Sequence, residues 1–172
     1  MNSKSAFALG LAAALFAGGT ALAADVPADT QKALTDLYAA NCTAAMDGSD
    51  KALDSMAAQL APDYVNIDFK GKQTGRDESV ASMKQQFKML HVTSCDNALA
   101  AWSATDASTI VVTDTQHAGG DVQAPDGKHQ FTVTSKTQDT WKNVGGTWLE
   151  SQSKDLRFLL KVDGNVVQDQ GE

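Results

Sequence analysis

Tyr64, Asn66 and Asp68 sit at alternate positions of one short segment, and their types and spacing suit chemistry better than any other group in this 172-residue chain. Alternation places them on one face of a strand, with Val65, Ile67 and Phe69 on the other. A carboxylate, an amide and a phenol on one face could exchange protons and hydrogen-bond a ligand if an apolar cleft lay beside them, because such a cleft destabilises the charged form of Asp68. The same alternation also fits the wet side of an edge strand over a Val65, Ile67 and Phe69 core. Elsewhere the inventory is thin. His91, His117 and His129 lack the HxH or HExxH spacing of a metal site, so no metal is expected, and no cofactor. Asp114 and His117, three apart on a strand, fall on opposite faces and form no local dyad. No Gly-x-Ser-x-Gly elbow supports a hydrolase triad. Trp102, Trp141 and Trp148 read as sheet core before ligand cage, although Trp141 is a candidate for a pocket wall.

The N-terminus reads as an export signal. Lys4, an apolar run from Ala6 to Ala17, the Gly18-Gly19 break and Ala21-Leu22-Ala23 together make a signal peptide over residues 1–23. The run is too short for a spanning helix. The expected product is a periplasmic or secreted single domain over 24–172, its core about 30–154, with no membrane contact after cleavage. In an oxidising compartment Cys42 and Cys95 are candidates for a disulfide, against the alternative of two small buried hydrophobes. With 14 basic and 21 acidic side chains the net charge is -7 and no Lys/Arg run interrupts it. Nucleic acid and anionic membrane surfaces are therefore excluded as partners.

The elements that must hold these residues follow from periodicity. Leu34, Leu37, Tyr38, Cys42 and Ala45 recur at helical spacing and predict a helix from about Thr30 to Asp47. Ala52, Leu53, Met56, Ala57 and Leu60 predict a second, ending at Ala61-Pro62-Asp63. After the strand at Tyr64–Phe69 and a turn at Lys70-Gly71-Lys72, Val80, Met83, Phe87 and Leu90 predict a third helix over about Arg76–Leu90. The second half is rich in Thr, Val, Ile and Trp. It reads as an antiparallel meander of strands near 91–102, 109–118, 130–141 and 147–160, divided by Pro/Gly/Asp/Asn turns. Asp163-Gly164-Asn165 marks a further turn, after which the tail forms a short strand or frays. The class is α+β, with three N-terminal helices packed on a curved, mainly antiparallel sheet.

Two stretches carry a family resemblance. Leu60-Ala61-Pro62-Asp63-Tyr64-Val65-Asn66-Ile67-Asp68, leading to Gly75-Arg76-Asp77-Glu78-Ser79, resembles the segment between helix 2 and helix 3 of the nuclear transport factor 2-like superfamily, the SnoaL-like and ketosteroid isomerase-like group. Asp139-Thr140-Trp141-Lys142-Asn143-Val144-Gly145-Gly146-Thr147-Trp148 resembles that family's final hairpin. The resemblance implies a cone whose sheet curls around the helices and leaves a pocket at one end, with Asp68 at the place of the general base. It also implies a helix-1 tyrosine and a strand carboxylic acid as an oxyanion device. Here the tyrosine's place holds Cys42, with Tyr38 one turn earlier, and the acid's place falls near Thr137, with Asp139 two residues on. Steroid isomerisation is therefore not expected.

Two functions follow as expectations. The first is an exported domain that binds a small apolar or amphipathic molecule in the conical pocket, with Tyr38, Tyr64, Asn66 and Trp141 on its walls. The second is an isomerase-, cyclase- or dehydratase-type enzyme using Asp68 as base. A homodimer paired through the open sheet is a third possibility that the long Thr/Val-rich strands raise.

Overall fold

The computed structural model describes residues 25–171; the segment 1–23, expected to be a signal peptide, lies outside the described residues. Helix α1 (Ala28–Asp47) forms on the predicted stripe, burying Leu34, Tyr38, Cys42 and Ala45. It stops at Gly48, whose left-handed backbone (φ 65°) lets its N–H reach the Ala44 carbonyl. Ser49 then caps α2 (Asp50–Ala57), its side chain accepting from the Ala52 N–H. Strand β1 (Leu60–Ile67), the short β2 (Gln73–Gly75) and α3 (Arg76–Phe87) follow. Asp77 and Glu78 fill the first turn of α3, where the helix dipole favours acids. Arg76 ties three elements together, donating to the carbonyls of Ala57 and Leu60.

The meander comprises β3 (Leu90–Asp106), β4 (Thr109–Ala124), β5 (Gly127–Val144) and β6 (Thr147–Val162), with β7 (Asn165–Gly171) continuing the tail. Sheet order is β2-β1-β6-β5-β4-β3, and β7 pairs with β6. The β1–β6 pair is parallel and all the others are antiparallel. The helix-facing side of the sheet can be followed rung by rung from the pairing. Ile110 and Trp141 lie at the closed end, packed with Val26, Leu34, Tyr38 and Val112. Next come Val112, Asp139 and Ser153, then Asp114, Thr137 and Asp155, then Gln116, Ser135 and Phe158, then Ala118, Val133 and Leu160. Alternation along each strand thus lines one face from a packed apex to an open mouth.

The ladders are irregular at a few rungs. The β3–β4 register slips between Val92 and Ser94, beside Gly119 and Gly120. A Cβ on Gly120 would stand 2.0 Å from the His91 carbonyl oxygen, so this close approach admits only glycine.

Several boundaries differ from the sequence expectation. Helix α2 ends at Ala57, and Leu60 already belongs to β1, because the Glu150 N–H donates to the Gln59 carbonyl and Leu60 pairs with Glu150. Pro62 is tolerated in β1 because the β1–β6 register breaks between Leu60 and Val65, where a missing N–H removes no ladder bond. Leu90 extends no helix; it opens β3 opposite Val122. β1 is also not an edge strand, since β2 and β6 flank it, and Tyr64 is buried instead of wet. The tail forms β7, with no residue of it buried.

Candidate functional site

The apex holds a buried polar network. Tyr38, on the inward stripe of α1, donates its hydroxyl to Asp139 Oδ2 at 2.6 Å. Trp141 Nε1 donates to the Tyr38 oxygen at 3.0 Å, and the two rings meet edge to face. Thr137 Oγ1 donates to Asp139 Oδ2 at 3.0 Å, and Ser153 Oγ to Asp139 Oδ1 at 2.7 Å. Burial pushes the Asp139 carboxyl up, and these three donors pull it back toward its charged form. Burial and the neighbouring Asp139 likewise raise the Tyr38 hydroxyl far above its ordinary value.

One rung toward the mouth, Asp114 is 5% exposed and its Oδ1 has no hydrogen-bond partner. Burial first, then the charge of Asp139, push its carboxyl up to about 7, against a smaller pull from the Thr115 backbone. Glu150, opposite Trp141, is raised by burial and by Asp139 and Asp114. Asp155, opposite Thr137, is raised by burial and lowered by the Asn66 side chain. None of these four carboxylates forms a salt bridge with a lysine, arginine or histidine among the described residues. The cone therefore carries concentrated acid without counter-ions.

Beyond the Asp114 rung the same face opens on a cavity of about 420 Å³. Val92, Phe131, Val133, Phe158 and Leu160 form its sheet wall, and Met56 and Phe87 close it from the helices. Its polar lining is neutral, with Gln86, Gln116 and Ser135. The size and the mostly hydrocarbon wall match a small-molecule site.

The sequence-predicted residues divide between two places. Tyr38 and Trp141 come together in the apex network. Tyr64 is buried nearby, its hydroxyl raised by burial, Glu150 and Asp139. Tyr64 and Asn66 line a shallow pocket against α3 with Thr74, Glu78 and Ser79. Asp68 lies at the turn after β1, where its Oδ1 accepts from the N–H groups of Lys70 and Lys72 at 2.8 and 2.9 Å. Those two bonds hold its carboxyl below the usual carboxylate range, the opposite of what proton abstraction requires. It borders an open groove of about 720 Å³ shared with Asp155 and Phe158. Cys42 and Cys95 are joined by a disulfide that clamps α1 to β3, with Cα atoms 5.3 Å apart. The histidines stay apart: His91 faces Asp121, His117 contacts Thr134, and His129 sits between Asp163 and Asp126. No group of three His, Cys, Asp or Glu among the described residues is placed to hold a metal ion.

Asp114, Glu150, Ser153 and Asp155 were not candidates from sequence. The signal for Asp114 is its register: Ile110, Val112, Asp114, Gln116 and Ala118 alternate onto the helix-facing side, so one carboxylate interrupts an apolar stripe.

The network's weight can be measured. Tyr38→Phe removes one donor from Asp139 and the acceptor of Trp141 Nε1, leaving an indole N–H unpaired in the core. The expected loss is about 3 kcal/mol of unfolding free energy by urea denaturation. A loss under about 0.5 kcal/mol would mean that the network contributes nothing to stability.

No protein-family model matches the chain, and no curated protein does. Solved structures do. A candidate scytalone dehydratase from Novosphingobium aromaticivorans superposes with a TM-score of 0.64 at 11% identity, covering 83% of this chain and 92% of its own. A type 2 hexachlorocyclohexane dehydrochlorinase gives a TM-score of 0.57 at 10% identity over 83% of this chain and 88% of its own. An NTF2-like protein of unknown function from Prochlorococcus gives 0.56 at 10% identity over 73% and 91%. At these identities the likeness speaks for architecture alone, and it covers enzymes and proteins without assigned activity. The three helices and the curved, mainly antiparallel sheet of this chain are the NTF2-like fold.

Proposed function

We propose that this chain is a small-molecule-binding domain whose ligand is an apolar or amphipathic molecule held in the cavity between the sheet and the helices. The observation that carries this reading is the cavity itself: about 420 Å³, walled by hydrocarbon side chains, with no charged residue in its lining. Water in such a space finds few partners, and displacing it with an apolar ligand is favourable. The Cys42–Cys95 bridge supports placing the protein in an oxidising compartment, periplasmic or secreted.

Nile red, neutral and fluorescent in apolar surroundings, is a suitable probe. It is expected to bind the wild-type protein with enhanced emission, and Ala118→Phe, which projects a ring into the cavity, is expected to weaken binding at least tenfold while thermal unfolding stays cooperative. Equal affinity in the two proteins would place the dye elsewhere and sink the reading.

A second reading, an elimination- or isomerisation-type enzyme, is favoured by one observation. Asp114, pushed up to about 7 one rung from the cavity, is poised to exchange protons near neutral pH. In that reading the base is Asp114, since the backbone bonds of Asp68 keep its carboxyl acidic. Turnover that survives Asp114→Asn would remove it.

A further inference from the structure

Resting on the reading of the cavity as a ligand site, we propose that its ligand is an organic cation: a primary ammonium group on an apolar body, the ammonium donating to Asp114 Oδ1 and the body filling the cavity. Three observations converge on this chemistry. Asp114 is 95% buried by accessible surface, being 5% exposed, yet its Oδ1 has no partner in a fold that otherwise satisfies Asp139 with three donors. A buried acceptor left empty is costly, and a ligand donor is the group that would relieve it.

The second observation is position. Asp114 shares its strand face with Gln116 and Ala118, both of which line the cavity. Two residues along a strand span about 7 Å, so a head group one rung inward from Gln116 stands beside Asp114 while its body remains among Val133, Phe158 and Leu160. The third is charge. Asp139 from β5, Glu150 from β6 and Asp96 from β3 act on Asp114 or feel its charge, and no basic residue is paired with Asp114, Asp139 or Glu150 among the described residues. An ionised Asp114 repels an anionic head and attracts a cationic one, and no positive side chain among the described residues stands beside it to reverse that preference. A metal ion does not fit, because no three ligating side chains converge among the described residues. Only a cation that carries its own apolar surface suits both the acid rung and the hydrocarbon wall.

The test compares octylamine, octan-1-ol and octanoate by isothermal titration calorimetry at pH 7.5 against the wild type and Asp114→Asn. Octylamine is expected to bind at least tenfold more tightly than octan-1-ol, and octanoate most weakly of the three. In Asp114→Asn, with folding checked by circular dichroism, the amine is expected to lose that advantage while octan-1-ol binds as before. Octan-1-ol or octanoate binding as tightly as the amine would overturn the cationic ligand and leave the cavity reading standing. An amine preference unchanged in Asp114→Asn would overturn the role of Asp114. Failure of all three to bind would overturn both the cation and the cavity reading beneath it.

Discussion

Asp114→Asn is expected to raise stability at pH 8 by up to about 4 kcal/mol more than it does at pH 4. The sign follows from linkage. Folding lifts the Asp114 carboxyl from its ordinary 3.8 to about 7, so the folded state binds a proton more tightly than the unfolded chain. A carboxyl raised in this way supports folding fully below its unfolded value and withdraws that support as pH climbs toward the folded one. Across that span of roughly three pH units, at about 1.4 kcal/mol each, the wild type loses on the order of 4 kcal/mol. Asparagine has the same shape and cannot ionise, so the variant escapes the loss. Glu150 and Asp155, also raised, add to the slope in both proteins, Glu150 less in the variant because it no longer feels the Asp114 charge. Urea titrations of wild type and variant at the two pH values measure the difference directly; parallel stability profiles would show that the carboxyl is wetter than its 5% exposure indicates.

The second large effect concerns the clamp between helix and sheet. Replacing both Cys42 and Cys95 by alanine is expected to cost about 4 kcal/mol, the chain-entropy estimate for opening a loop of this length. The separation is 53 residues, and α1 is docked on β3 with Asn97 donating to the Tyr38 carbonyl. Cys95 and Ala45 also line the cavity, so loosening α1 loosens one of its walls. The double variant is therefore expected to bind Nile red more weakly than wild type, as well as to unfold at lower urea. A stability change below about 1 kcal/mol would show that the bridge merely decorates a fold held by packing.

Much of the scaffold was legible because its signals are local. The α1 stripe of Leu34, Tyr38 and Cys42, the Gly48 stop and the turn residues at Pro125-Asp126 and Gly145-Gly146 each act within a few residues. The misplaced boundaries are those that a distant partner decides. Leu60 continues an apolar helical stripe, yet Glu150, ninety residues later, recruits it into a strand. Leu90 reads equally well as the end of α3, and Val122 claims it for β3.

The site shows the same division. Tyr38 and Asp139 each lie displaced from the positions that the sequence resemblance implies for such a pair, Tyr38 by one helical turn and Asp139 by two strand residues. Both displacements run toward the apex, so the pair still meets, 101 residues apart in sequence. Asp68 stands at the matching sequence position, but the Lys70-Gly71-Lys72 turn that follows offers it two backbone donors. That contest between pocket and turn depends on loop geometry, which alternation does not encode. Asp114 was hidden for a different reason. A single acid on a Thr/Val-rich strand looks like an outward residue until the register with Thr137 and Leu99 fixes its face.

Asp114, buried and with its Oδ1 unpartnered, stands one rung beyond the lining of an apolar cavity. The most direct test is the titration of the Asp114 side-chain carboxyl, followed by carbon-13 NMR and assigned by its absence in Asp114→Asn. The midpoint is expected at about 7 in the free protein, falling when octylamine is added. A midpoint in the ordinary carboxylate range, unmoved by the amine, would mean that water already reaches Asp114 and would contradict the account.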